Sequence, residues 1–183
     1  MGEKVRHLTL PLTEAEAVSL RAGESVLLSG TLYAARDEAH ENMIALLEEG
    51  RDLPFTIKDA CIYYVGPAPA APGRVIGSAG PTTSGRMDAF TPALIRCGLR
   101  GMIGKGERSP EVIEAMKAGK AVYFGAVGGA GALLAKCITS QQVIAWPELG
   151  PEALRRMTVE NMPVIVVIDT EGRDLYQDHT GSR

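Results

Sequence analysis

Residues Pro163 to Asp169 read Pro-Val-Ile-Val-Val-Ile-Asp, an aliphatic run with no alternating polar residue. Such a run is stable only when both faces are covered, so it predicts a central strand. The rest of the chain supplies alternating elements around it. Thr13-Glu14-Ala15-Glu16 has the spacing of a capping box and opens a short helix ending near Gly23. Ser25 to Tyr33 is strand-like. Asp37 can cap a helix with Met43, Ile44, Leu46 and Leu47 on its apolar side, stopping at Gly50. Cys61 to Val65 and Arg74 to Ala79 read as strands around a stiff, exposed loop, Gly66 to Gly73, built only of Gly, Pro and Ala. An apolar, helix-like run covers Asp88 to Cys97. Arg100 to Ile103 reads as a strand, and Ser109-Pro110-Glu111 starts a helix that Gly119 closes. Ala121 to Phe124 and Gln142 to Trp146 are further strands. Thr170-Glu171-Gly172 turns the chain into a last short strand near Leu175, and 177–183 is a polar tail expected to fray. The order predicts one α/β domain, a mixed sheet with flanking helices.

Composition narrows the function. The chain has 183 residues, 45% hydrophobic and 22% charged, with a net charge of −3 and no basic run, which argues against a nucleic-acid partner. No apolar run approaches the roughly 20 residues needed to span a bilayer, and the polar N-terminus is not a signal peptide. The expected location is the cytoplasm. Cys61, Cys97 and Cys137 are odd in number and far apart, which disfavours a disulfide framework or a local zinc site with His7, His40 or His179. Three cysteines could in principle hold an iron–sulfur cluster. The plainer reading makes them small buried hydrophobes.

Four segments could carry chemistry. Gly80-Pro81-Thr82-Thr83-Ser84-Gly85-Arg86-Met87-Asp88 combines turn-forming glycines, consecutive hydroxyls and a guanidinium. That mixture suits an anionic small molecule better than a plain turn. In Ala34-Ala35-Arg36-Asp37-Glu38-Ala39-His40, Arg36 could clamp a carboxylate bidentately, with Asp37 holding it or capping the helix. The alternative is a capping Asp beside a solvated Arg, and His40 reads as a surface or packing residue. Gly104-Lys105-Gly106 places a lysine between two glycines, either an anion-binding turn or an ordinary exposed lysine. All three fall at the carboxyl ends of predicted strands, where open α/β sheets gather ligands. Gly125 to Ala132 invites a dinucleotide reading, with Glu148 as the ribose acid, but Leu134 stands where the fingerprint wants Gly or Ala. A tight strand–helix packing turn fits better, one that lets a ligand or another subunit approach closely.

In this order and spacing, the Gly80–Asp88 loop, Arg36-Asp37-x-x-His40, Gly104-Lys105-Gly106 and the Gly125–Gly131 run resemble the C-terminal region of class I fumarases. They also resemble the β subunits of two-subunit iron–sulfur hydro-lyases, fumarate hydratase and L-tartrate dehydratase. The resemblance spans roughly Leu8 to Tyr176. It implies a swivelling β/β/α domain acting with an α subunit whose three cysteines hold a [4Fe–4S] cluster. One iron of that cluster binds the substrate hydroxyl, so the cysteines of this chain would not be ligands and the chain alone would be inactive. The resemblance also implies that Thr82 transfers the proton.

Adding or removing water on a C4 dicarboxylate needs both carboxylates held and a proton moved beside one of them. Arg36 and Arg86 suit the first task, with Thr83 beside them, and Lys105 can stabilise the enolate-like charge of the second. A neutral hydroxyl is a poor base, so Thr82 would need cations and loop amides around it, and Asp37 is the acidic candidate to assist. Alternatives are an L-tartrate dehydratase β subunit, a non-catalytic nucleotide- or phosphate-binding module using Gly125–Gly131, and a purely structural subunit. Self-association of the isolated chain is a further expectation.

Overall fold

The computed structural model describes residues 4–126 and 131–178. Seven strands make one mixed sheet: β1 (Arg6–Leu10), β2 (Ser25–Ala34), β3 (Cys61–Tyr63), β4 (Gly101–Gly104), β5 (Val122–Ala126), β6 (Ile138–Ala145) and β7 (Leu154–Ile168). Strands β1 to β5 pair in parallel with their neighbours in chain order. β7 is antiparallel to β5 and β6, and also lies along the whole length of β2 from Ser25↔Ile165 to Ala34↔Arg155. The hydrogen-bond ladder β2–β3–β4–β5–β7 therefore closes on itself, which covers the edges that an open sheet would leave unpaired.

The aliphatic run is central as expected, but it is the second half of a longer strand. β7 continues back to Leu154 through Asn161, whose φ is 48°. Along β3, β4 and β5 successive side chains alternate between two cores. Cys61, Tyr63, Ile103, Val122 and Phe124 enter one core with Leu28, Leu32, Val164 and Val166. Ile62, Met102 and Tyr123 point the other way, into a second core shared with Ala39, Met43, Leu94, Val112 and Met116 of the helices. Two covered faces explain why these strands read as unbroken apolar runs. Burying each large side chain stabilises by about 1.5–3 kcal/mol, so these cores outweigh any single helix cap.

The helices are α1 (Glu14–Ser19), α2 (Asp37–Glu48), α3 (Thr91–Arg96), α4 (Pro110–Gly119), α5 (Gly131–Ala135) and α6 (Leu175–Asp178). The predicted capping box is present: Thr13 accepts from Glu16 N, and Glu16 accepts from Thr13 N. Ser109 likewise caps α4 through Val112 N. No helix among the described residues is long and apolar enough to cross a membrane.

Several local expectations are corrected. Arg74 to Ala79 is not a strand; it folds back on the Pro/Ala loop, with Ala68 N donating to Ser78 O at 2.9 Å and Gly77 N to Ala68 O at 3.2 Å. A Cβ at Gly77 would sit 2.5 Å from Ala68 O, so that close approach requires glycine. The helix expected over Asp88 to Cys97 is the shorter α3, Thr91–Arg96, and a 3-10 turn at Ser84–Met87 precedes it. Asp37 is not the cap of α2: Arg36 occupies that position without a side-chain cap bond. The last element is α6 rather than a strand, after a turn in which the Asp169 carboxylate accepts from Ala22 N, Glu171 N and Arg173 N. Strand β1 had no sequence prediction. Within the Gly125–Gly131 run, 127–130 lie outside the described residues, as do His179 and the tail from 179 on.

Candidate active site

The parallel strands all end on the same side of the sheet, and the predicted site residues gather there. β2 runs out at Ala34 and delivers Arg36 and Asp37; β4 ends at Gly104 and delivers Lys105. The strand between them, β3, ends at Tyr63, and the next residue, Tyr64, receives the hydroxyl loop: Thr82 N donates to Tyr64 O at 2.7 Å. Thr83 then bridges Lys105, and Ser84 N donates to Lys105 O at 2.8 Å. The Gly80–Asp88 loop thus lies across the ends of β3 and β4, although no strand precedes it.

Glycine at 104 makes this docking possible. A Cβ there would stand 2.0 Å from Ser84 Oγ and 2.8 Å from the Tyr64 ring. Beneath the loop, Tyr123 donates to Gly106 O at 2.8 Å, so Ser84 must be the donor in its 2.7 Å bond to Tyr123. Burial pushes the Tyr123 hydroxyl well above its ordinary pKa, so it stays a protonated tether.

The far end of the loop is held by Arg108, whose side chain is fully buried. Its Nε donates to Asp88 at 2.8 Å, and one Nη donates to Thr91 at 2.9 Å and Tyr64 at 3.1 Å. The guanidinium also stacks over the rings of Tyr64 and Tyr123, at 5.2 and 4.9 Å. Asp88 accepts a further bond from Ser109 N at 2.8 Å. The sequence assigns Arg108 no role, because nothing in its neighbours marks it as buried.

The charged groups are arranged in pairs. Arg86 donates to the Asp37 carboxylate, so Asp37 holds Arg86 and not its neighbour Arg36. Arg36 instead faces Glu152, on the 3-10 segment Pro147–Glu152, with Nε 4.0 Å from Oε1. Glu152 was missed by sequence reasoning because it belongs to a distant turn. Lys105 is exposed and makes no ion pair among the described residues. A groove of about 630 Å³ lies elsewhere, lined by Tyr33, Leu47, Arg51, Phe55 and Arg156 among others, and holds none of these groups.

The sequence profile of the Fumarase C-terminus matches residues 2–179. The chain belongs to the fumarase C-terminal family. It is 39% identical over 181 residues to the aerobic class I fumarate hydratase of Escherichia coli (strain K12), covering 96% of this chain and 33% of the relative. It is 41% identical over 156 residues to fumarate hydratase 2 of Leishmania major, covering 84% and 28%. A Methanocaldococcus jannaschii protein provisionally named L(+)-tartrate dehydratase subunit beta is 35% identical over 173 residues, covering 91% and 89%. This fumarase C-terminal chain thus spans about a third of the fumarate hydratases it matches, but most of the β-subunit relative.

The cysteines of this fumarase C-terminal chain do not fit an iron–sulfur cluster. Cys61 is buried in the sheet core with its thiol pushed up to about 12, Cys97 is exposed after α3, and Cys137 is partly buried after α5. Among the described residues no three His, Cys, Asp or Glu side chains group as metal ligands. The expectation of buried cysteines holds for Cys61 and fails for Cys97, which sits at the open end of a short helix. Gly131, by contrast, does mark close packing: a Cβ there would lie 2.2 Å from Ser78 Oγ and 2.9 Å from Gly80 N. Glu148 is an exposed residue of the 3-10 segment.

His40 resolves as a packing residue. It is completely buried against Tyr64 and Phe90, and Nδ1–H donates to Arg36 O at 2.7 Å. Burial lowers its pKa from 6.5 to about 4, assisted by the Arg108 charge and opposed by the Arg36 carbonyl and Asp37. The folded form binds the proton less readily than the unfolded chain. His40 therefore contributes stability that is complete above the unfolded value and is lost as pH falls from about 6.5 towards 4. The loss should reach about 3 kcal/mol. Urea melts across that range should show it, and His40→Gln should flatten the dependence.

Proposed function

We propose that this chain is the β part of an iron–sulfur hydro-lyase that adds water to, or removes it from, a C4 dicarboxylate of the fumarate/L-malate kind. The observation that carries the reading is the meeting of Arg36, the Thr82–Arg86 loop and Lys105 at the ends of three adjacent parallel strands. Neighbouring strands lie about 4.8 Å apart, so groups leaving β2 and β4 span roughly 10 Å, a distance that extended arginine and lysine side chains bridge to grip a small diacid. Names of the relatives support the reaction class, and the match to a β subunit supports a partner α subunit.

On this reading Arg36 and Arg86 bind the two carboxylates, with Thr83 completing one of them. Thr82 moves the proton on the carbon next to a carboxylate, while Lys105 and the loop amides stabilise the negative charge that builds there. Asp37, released from Arg86 by the substrate carboxylate, is the group able to relay that proton. The [4Fe–4S] cluster belongs to the α subunit, because the cysteines of this chain do not fit one. The chain works in the cytoplasm and is inactive until assembled.

Arg36→Ala and Arg86→Ala, made in the assembled enzyme, should each raise KM for fumarate and for L-malate by roughly 10²-fold, the cost of a charged hydrogen-bonded pair. Wild-type KM in both variants would remove the arginines from the site. L-Tartrate dehydration is the second reading, favoured by the M. jannaschii relative. Comparing kcat/KM for L-tartrate and L-malate decides between them.

A further inference from the structure

Among the described residues, five buried polar atoms lack a hydrogen-bond partner, Arg36 Nε and Glu152 Oε1 among them. Buried donors and acceptors are almost always satisfied, so unsatisfied ones call for a cause. Arg36 Nε and Glu152 Oε1 face each other as a donor and an acceptor 4.0 Å apart, too far for a hydrogen bond yet close enough for attraction. Both side chains are about a quarter exposed, 26% for Arg36 and 25% for Glu152, so solvent screens the pair only in part.

The surroundings leave each partner little freedom. The Arg36 stem lies against Gly66, where a Cβ would stand 2.8 Å from Arg36 Cδ, 3.0 Å from a guanidinium nitrogen and 3.3 Å from Pro151 O. The turn that carries Glu152 is clamped in its own right. Arg155 donates to Pro151 O and Gly150 O, both at 2.9 Å, and to Ala153 O at 3.5 Å. A glycine wall and an arginine-clamped turn therefore hold the two charges in register.

We propose that Glu152 is a positioning residue for Arg36: it takes the Nε edge of the guanidinium and leaves the paired Nη edge to a substrate carboxylate. The gap closes to a hydrogen bond when that carboxylate draws the guanidinium into place. An end-on fork of this kind has two parallel donors and tolerates little rotation. Glu152 supplies the second constraint that an otherwise rotatable guanidinium lacks. This inference rests on the hydro-lyase reading for the identity of the anion.

The sign of the effect separates positioning from simple charge. Removing an anion next to a dianion site should by Coulomb attraction alone tighten binding. Positioning predicts the opposite. In the assembled enzyme, Glu152→Ala should raise KM for fumarate and for L-malate roughly tenfold while kcat changes by less than about threefold. Glu152→Gln, which keeps an acceptor for Nε, should recover part of that loss. Gly66→Ala, which pushes on the Arg36 stem from the other side, should reproduce the Glu152→Ala phenotype. Equal or lower KM in Glu152→Ala overturns the proposal. Arg36→Ala distinguishes the two levels: an unchanged KM there defeats the hydro-lyase reading itself. A raised KM in Arg36→Ala beside a normal one in Glu152→Ala defeats only the role of Glu152.

Discussion

Replacing Thr82 by Ala is expected to lower kcat for fumarate hydration by about 10²–10⁴-fold with little change in KM, the usual range for losing a positioned proton-transfer group. The expectation rests on how the hydroxyl is presented. Its backbone N–H is pinned to Tyr64 O at 2.7 Å, Thr83 pairs with Lys105 in a parallel bridge, and Ser84 N donates to Lys105 O. The Thr82 hydroxyl itself has no hydrogen-bond partner among the described residues. A hydroxyl held by its main chain and left unengaged is available to a substrate. Lys105 adjoins it across the bridge and offers the positive charge that a developing alkoxide requires. Thr82→Ser should keep a substantial part of the activity, because it retains the oxygen and loses only a methyl group. Thr83→Ala should act mainly on KM. Turnover in Thr82→Ala above about a tenth of wild type would assign the proton to another group, and Asp37→Asn would be the next variant to measure.

The second large effect concerns the scaffold beneath that loop. Arg108→Met should destabilise the fold by about 3–5 kcal/mol, the cost of leaving one member of a buried pair uncompensated. The number follows from the partners lost together: Asp88, Thr91, Tyr64 and the two ring faces. Asp88 keeps only the Ser109 amide. If the uncompensated carboxylate dominates, Arg108→Met with Asp88→Asn should be more stable than Arg108→Met alone, a non-additivity that a double-mutant cycle reads directly. Guanidinium melts of the three variants test this. A single-variant loss below about 1 kcal/mol would mean that Arg108 is not what holds the loop. This role differs from the one proposed for Arg36 and Arg86: Arg108 is a fully buried strut, whereas the two proposed clamps are 26% and 55% exposed.

The Asp37–Arg86 contact bears on how the site works. An internal carboxylate occupies Arg86 in the chain by itself, so on the proposed reading a substrate carboxylate would have to displace it. The pair is partly exposed, 55% for Arg86 and 22% for Asp37, and such pairs contribute little net stability, so exchange for a better-placed ligand is cheap. Glu152 differs: it faces the Nε edge of Arg36, so a carboxylate on the Nη edge would not displace it. On the proposed reading both clamps already face the protein's own acids, which would keep two guanidinium groups oriented before a diacid arrives.

Much of this was legible in the residues alone. The capping box at Thr13 and the proline-led helix start at Ser109 are local chemistry, decided within four residues, and they stand where the spacing put them. The apolar runs announced buried strands because period and burial are coupled along a strand. The candidate segments also stood out, since glycine, hydroxyl and cation side by side are hard to explain as plain turns. What composition and spacing could not decide was partnership. Asp37 chose Arg86, forty-nine positions away, over the adjacent Arg36. Glu152 entered the site from a turn before β7, and Arg108 became the anchor of a loop on another element. Arg74 to Ala79 has a strand's composition but spends its amide bonds on the neighbouring loop. Local propensity acts over a few residues, whereas these pairings depend on which strands lie side by side, and that follows from closing the sheet on itself through β7.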